Sequence, residues 1–305
     1  MTKTRIGVVT VTYNSADVLP DFLRCLSAQT HTDFLLFVID NASHDGTVEL
    51  LQAYNDSRLV IVANPDNRGV AEGNNQGIRR ALEAGCFSVL LVNNDTEFDE
   101  ALLEHLASGL ERYRCDMTCP KILFFDEPDR IWAAGGFFQP RLGYRALHYG
   151  EGEIDQGQFD ETRQVTYTPT CCVLIRAELF EKIGLMDARY FAYVDDTDFM
   201  YRALKGGFRL FYQADDRLFH KVGRLTGGRE SPFTIRYATR NQAFFALKHF
   251  GRITARFWIL MRRLYYLANL LSSKDSFATF KMRQNAISET FRMPRNGLQD
   301  SDVQQ

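Results

Sequence analysis

RIGVVTVTYNS (residues 5–15) sets a continuous apolar, β-branched run directly before Tyr13, Asn14 and Ser15. A run that is apolar on both faces predicts a strand buried on both sides, as in a parallel sheet. Asn14 and Ser15 read as caps of a following helix carried by Val18, Leu19, Phe22, Leu23 and Leu26. The pattern then repeats. FLLFVID (34–40) ends at Asp40, and the turn NASHDG leads to a helix with Val48, Leu51 and Tyr54. RLVIVA (58–63) gives a third strand before a Gly- and Asn-rich loop. A helix with Ile78 and Leu82 follows, and VLLV (89–92) ends at Asn93. Strands alternating with helices of this length predict right-handed βαβ units: an α/β fold with a Rossmann-like, mostly parallel central sheet and flanking helices.

Beyond residue 115 the strands shorten. AAGGFFQPRLGYRALHYGEGE (133–153) reads as a Gly-rich hairpin region and 151–163 as a polar loop. VTYTPTCCVLIR (165–176) reads as a strand, and a helix is expected from Ala177 to Gly184. An aromatic-rich entry then leads to an acidic helix ending at Gly206 and Gly207, another strand, and His220 after it.

The 305 residues are 45% hydrophobic and 24% charged, which suits a large globular core and excludes collagen-like and low-complexity classes. The net charge of −2 hides a division: residues 1–220 hold 21 Lys+Arg and 33 Asp+Glu, whereas residues 221–305 hold 15 and 5. Such asymmetry points to a basic segment meeting an anionic surface. The acidic remainder disfavours nucleic acid as that partner. The N-terminus has no small-residue cleavage site and reads as the first strand, so a cytoplasmic location is expected. Six scattered cysteines then favour reduced thiols. FWILMRRLYYLANLL (257–271) places Arg262 and Arg263 mid-segment, which disfavours a membrane span.

In open α/β sheets, ligands bind beyond the carboxyl ends of the strands. Those ends are Thr12, Tyr13 and Asn14; Asp40 and Asn41; residues 64–69; and Asn93, Asn94 and Asp95. All are polar, and no GxGxxG dinucleotide fingerprint accompanies them. Asp95 offers a hard oxygen ligand for a divalent cation whose shell diphosphate and water complete. Asp195, Asp196 and Asp198 open a helix, where carboxylates suit the macrodipole, but three acids in four residues repel one another as in a functional site. Asp198 is expected to pair with Arg202 four residues on, leaving Asp195 and Asp196 for general-base work. His220 is a candidate metal ligand.

VTVTYNS, VIDNASHDGT, NRGVAEGNNQGI, LLVNNDTEFD, YFAYVDDTDFMYRA and HKVG resemble, in order and spacing over about residues 5–245, family 2 glycosyltransferases of the GT-A fold, especially bacterial rhamnosyltransferase-like members. The resemblance implies an inverting transferase using a dTDP- or UDP-sugar with Mg²⁺ or Mn²⁺. It implies that Val11, Tyr13, Asn14 and Asp40 hold base and ribose, and that Asn67, Gly69 and Asn74 line the same pocket. Asn93-Asn94-Asp95 stands at the family's DxD motif, with Asp95 on the metal and Asn93 replacing the first Asp. Asp195-Asp196 matches its Glu-Asp pair, with Asp196 as base. His220 matches a position that completes the metal shell in some members. The acceptor implied is a glycan or lipid-linked sugar in cell-surface polysaccharide synthesis. Polar residues near Trp132 and Tyr193 are expected to face it. A non-catalytic nucleotide-sugar-binding protein is the alternative.

The expected organisation is a catalytic domain over 1–235, with a nucleotide-binding half (1–115) and an acceptor-binding half (116–235). A basic helical extension (236–295) and a flexible tail (296–305) follow. Arg236, Arg240, Lys248, Arg252, Arg256, Arg262 and Arg263 alternate with apolar residues and no acid over 236–271. That composition suits either a basic amphipathic helix on the inner leaflet of a membrane, or a packed helix with a solvated basic face.

Overall fold

The structure, a computed structural model, describes residues 4–223 and 230–294. The tail expected at 296–305 lies outside the described residues. The first half contains strands β1 (Ile6–Thr12), β2 (Phe34–Asp40), β3 (Leu59–Ala63), β4 (Ser88–Val92) and β5 (Thr96–Phe98). Helices α1 (Leu19–Ser27), α2 (Thr47–Ala53), α3 (Gly69–Glu83) and α4 (Leu102–Arg112) connect and follow them. Then come β6 (Met117–Phe124), β7 (Ile131–Ala133), β8 (Gly136–Gln139), β9 (Arg145–His148), β10 (Arg163–Val165) and β11 (Cys172–Arg176). α5 (Ala177–Ile183), α6 (Asp195–Lys205), β12 (Leu210–His220), α7 (Pro232–His249), α8 (Arg252–Leu271) and α9 (Phe277–Thr290) complete the chain.

One sheet runs β10-β12-β6-β11-β4-β1-β2-β3, with β5 beside β12 and β7 beside β6. β3, β2, β1 and β4 are parallel, as the buried runs require. β6 and β12 are parallel to each other, and β11 lies between β6 and β4, antiparallel to both. Helices cover both faces. Ile6 and Val8 of β1 pack with α1 and α4 through Leu19, Phe22 and Leu103, whereas Val9 packs with Ala71, Ile78 and Phe199 of α3 and α6.

α3 lies flush on β1 because glycine recurs every fourth residue, at Gly69, Gly73 and Gly77. A Cβ on Gly77 would stand 2.3 Å from Val9 Cγ1, and one on Gly73 2.8 Å from Val11 Cγ1. The helix therefore brings its N-terminal turn against the carboxyl end of β1.

Three local expectations need correction. Asn14 and Ser15 do not cap α1, which begins at Leu19 with no side-chain cap. Asn14 instead takes φ 50°, and its Oδ1 accepts from the His44 amide at 2.9 Å, bracing the 41–46 turn. Residues 165–176 are not one strand: β10 (Arg163–Val165) ends at the first of them, and β11 starts only at Cys172. His220 is the last residue of β12, paired opposite Thr96 of β5, rather than a loop residue beyond it.

Gly77→Ala should cost about 1–3 kcal/mol in chemical denaturation, because the added methyl would press into the buried, branched Val9 side chain. Gly85→Ala also loses stability, through its φ of 71° alone, since nothing lies near its Cβ position.

Candidate active site

β1 and β4 are neighbours whose connections leave in opposite directions across the sheet, so their carboxyl ends open a crevice at the switch in strand order. On one wall, Thr12 Oγ1 donates to Asp40 Oδ1 at 2.8 Å, and Ser43 donates to Oδ2 from its amide and to Oδ1 from its hydroxyl, at 2.9 and 2.5 Å. Asp40 is 1% exposed and is thereby fixed at the end of β2. Tyr13 beside it is 45% exposed and offers a ring face for stacking. Asn67 Oδ1 accepts from the Gly69 amide at 2.9 Å, which shapes the entry to α3. Asn74 is buried against Met186, with its Nδ2 3.6 Å from the sulfur.

Asn93 and Asn94 leave β4 in different directions. The Asn93 amide donates to the Cys171 carbonyl, and the Asn94 Nδ2 donates to the Val11 carbonyl at 2.7 Å, tying β4 to β1. Asp95 is buried, its Oδ1 accepts no hydrogen bond, and it lies 3.3 Å from His220 Nε2. An orphaned carboxylate oxygen beside an imidazole is a donor set for a divalent cation. Among the described residues no group of three or more His, Cys, Asp or Glu gathers around one point. The remaining ligands of such an ion would be phosphate oxygens and water.

The second carboxylate corner sits at the start of α6. Phe191, Tyr193 and Val194 all have positive φ (66°, 64° and 67°), a strained approach that turns the chain sharply into Asp195. Asn241 of α7, fully buried, holds it: its Nδ2 donates to the carbonyls of Tyr190, Ala192 and Tyr193 at 2.7–2.8 Å. Arg240 adds bonds to the Arg189 and Tyr190 carbonyls. The Phe191 carbonyl accepts from the Val70 amide at 2.6 Å, and a Cβ on Gly69 would meet that same oxygen at 2.5 Å. Gly69 thus serves close approach between α3 and this loop.

Asp196 is half-buried. Its Oδ1 accepts from the Thr197 amide and hydroxyl, and its Oδ2 from the Tyr167 hydroxyl at 2.7 Å, leaving Oδ2 one open acceptor direction. Burial, and then the neighbouring Asp196 charge, push the buried Asp195 carboxyl up to about 8. Asp198 turns away and pairs with Arg202 at 2.9 Å as expected, and with Lys248 and His249 at 2.7 Å. Burial pushes its carboxyl up, but the His249 hydrogen bond and the Arg202 and Lys248 charges prevail and hold it below the usual range.

A row of rings joins the two corners. His220 meets Trp132 edge-on at 4.7 Å, Trp132 meets His148 at 4.9 Å, and His148 stacks on Tyr167 at 5.7 Å. Tyr193 of the strained loop donates to or accepts from Thr234 of α7 at 2.9 Å. Sequence reading had singled out neither Tyr167, His148 nor Asn241. Their partners lie 16 to 51 residues away, and no periodicity marks them.

The profile of "Glycosyl transferase family 2" matches residues 7–184, which contain the crevice and Asp95. The chain belongs to that family. This family 2 glycosyl transferase is 26% identical over 272 residues to the N-acetylglucosaminyl-diphospho-decaprenol L-rhamnosyltransferase of Mycobacterium tuberculosis, covering 81% of this chain and 85% of the relative. It is 21% identical to the dTDP-rhamnosyl transferase RfbF of Shigella flexneri over 72% of this chain and 70% of that one. Among solved structures it resembles S. aureus TarS 1–349 in complex with UDP-GlcNAc, with TM-score 0.61 and 19% identity, covering 94% and 81% of the two chains. It also resembles GalNAc-T7 with UDP, GalNAc and Mn²⁺, with TM-score 0.63 and 15% identity, covering 95% and 56%. These likenesses identify the fold as GT-A.

Asp195 binds its proton far more tightly folded than unfolded, where the ordinary value is 3.8. Its contribution to stability is therefore present below that value and is lost as pH rises toward about 8. Thermal unfolding between pH 5 and 8 should show the wild-type enzyme losing stability across that range and the Asp195→Asn variant losing less.

Proposed function

We propose that the enzyme transfers a sugar, with rhamnose the leading candidate, from a dTDP- or UDP-sugar to a glycan or lipid-linked acceptor in cell-surface polysaccharide synthesis. The reaction is a single displacement with inversion. One observation carries the reading: Asp196, half-buried and with an open acceptor direction on Oδ2, is connected through Tyr167, His148 and Trp132 to His220 and to Asp95, whose Oδ1 accepts no hydrogen bond.

Asp196 takes the proton of the acceptor hydroxyl as that oxygen attacks the anomeric carbon. Tyr167 and Thr197 hold the carboxylate in one orientation, so its free lone pair needs no reorganisation during attack. Asp195, kept protonated at neutral pH, spares the base a second adjacent charge. Tyr13, Val11 and Asn14, with Asp40 behind them, would bound the base and ribose. Asn67, Gly69 and Asn74 shape that wall, and Asn93 and Asn94 shape the diphosphate end. Asp95 and His220 would hold Mg²⁺ or Mn²⁺. Such an ion supplies Lewis-acid neutralisation of the charge growing on the departing diphosphate.

Support for the sugar comes from the two relatives named for rhamnosyl transfer. Support for a lipid-linked acceptor comes from the first, whose name includes a diphospho-decaprenol. UDP-GlcNAc in the TarS complex supports a nucleotide-diphosphate donor, and Mn²⁺ in the GalNAc-T7 complex supports the ion.

Asp196→Asn should lower kcat by about 100-fold or more, the range of a positioned general base, while nucleotide-sugar affinity measured by calorimetry stays within a few-fold. Turnover near wild type would remove Asp196 from the base role. Asp95→Ala should abolish the Mn²⁺ dependence of donor binding, read as a thermal shift with and without the ion. Full wild-type activity in excess chelator would overturn the metal assignment.

A further inference from the structure

The basic C-terminal segment is not a single helix with a solvated cationic face. It breaks at Phe250 and Gly251 into α7 and α8, and α7 spends its charges inward. Arg236 pairs with Glu289 at 2.9 Å, Arg240 clamps the strained loop, and Lys248 pairs with Asp187 and Asp198. α8 presents an apolar surface. Ile253, Phe257, Leu260, Leu264, Leu267 and Leu271 are all exposed, Ile253 to 87% and Leu271 to 78%. Their spacing alternates four and three residues, so they form one continuous stripe along the helix. Phe277, at the start of α9, is 69% exposed beyond the stripe's end.

We propose that this stripe is a membrane-docking face that lies in the headgroup region of an anionic bilayer, with α8 parallel to the surface. Charge selects this occupant. From Arg252 to Lys274 the chain carries Arg252, Arg256, Arg262, Arg263 and Lys274 and no acid. Arg252 and Arg256 are exposed beside the stripe's first half, and Lys274 just past its end. A second copy of the same helix would set these cations against one another with no carboxylate to answer them. Anionic headgroups answer all of them, while the stripe enters the acyl boundary. No helix among the described residues is long and apolar enough to cross a membrane, which agrees with a helix lying on one.

The face is also wired to the site. Trp258 of α8 packs against the tip of the β8–β9 hairpin, where a Cβ on Gly143 would stand 3.0 Å from its ring. Leu142 at that tip is exposed, and His148 at the end of β9 is the residue stacked on Tyr167. One hairpin therefore runs from the docking helix to the residue that holds Asp196.

Vesicle co-sedimentation of the full chain tests this. Vesicles of phosphatidylglycerol and phosphatidylethanolamine should pellet the wild type at about 0.05 M salt, and pure phosphatidylcholine should not. Binding should weaken at about 0.5 M salt, where screening shortens the reach of the charges. Phe257→Ser/Leu264→Ser/Leu271→Ser should lower the partition coefficient about tenfold or more with an unchanged melting temperature, since these side chains are exposed. Arg252→Glu/Arg256→Glu should remove most of the salt dependence. Wild type that ignores the anionic vesicles, or a stripe variant that binds them like wild type, would overturn the proposal. So would a wild-type dimer that the stripe substitutions convert to monomer, which would assign the stripe to a second copy. No turnover enters these readouts, so they stand or fall independently of the base and metal assignments.

Discussion

The site depends on one amide. Phe191, Tyr193 and Val194 sit in backbone conformations that cost about 1–3 kcal/mol each for residues with a Cβ, and they persist only where surroundings over-determine them. Asn241 provides that constraint by donating to three carbonyls in four residues, with Arg240 beside it and Gly69 allowing α3 to press from the other side. Without this grip, α6 would have no reason to begin where it does. Asp195 and Asp196 would lose their separate environments, one buried and protonated, the other reachable. The strain is thus the means by which two adjacent residues of one type acquire two environments.

The charge division seen along the sequence is resolved in part inside the molecule. Asp187 and Asp198 come from the acidic part and Lys248 and His249 from the basic part, and they meet where the end of α7 reaches Asp187 and α6, while Lys221 pairs with Asp21 and Glu97. Partly buried pairs of this kind are costly to break singly, because the remaining partner keeps its desolvation cost. Among the described residues, Arg252, Arg256 and Lys274 stay exposed on and just beyond α8. The net balance of the chain therefore describes a seam between its parts as much as an outer surface.

Much of this was legible in the sequence, and the exceptions have a common cause. The parallel strands β1, β2 and β4 could be read because burial on both faces leaves unbroken runs such as VVTV and VLLV, and the polar residues ending these runs are those at the crevice. Asp198 with Arg202 followed from helical spacing. By contrast, the insertion of β11 between β4 and β6, the hydroxyl of Tyr167 on Asp196, and the amide of Asn241 on the 190–193 carbonyls are set by tertiary packing, which no local period encodes. The apolar stripe of α8 is a different case. Its spacing stands in the sequence from Ile253 to Leu271, but which face of α8 stays uncovered is set by its packing on α7 and α9 through Ile259 and Tyr266.

β11 is hydrogen-bonded on one side to β4, which borders the crevice, and on the other to β6, beyond which the sheet continues to β12. A hinge between the two halves would have to shear backbone ladders at the centre of the molecule. The enzyme is in this respect a plate rather than a clamp. Admission of donor and departure of product must be handled by segments that rise above the plate, and selectivity among sugars must be written in those segments and their side chains, since the floor beneath them has no second position to adopt.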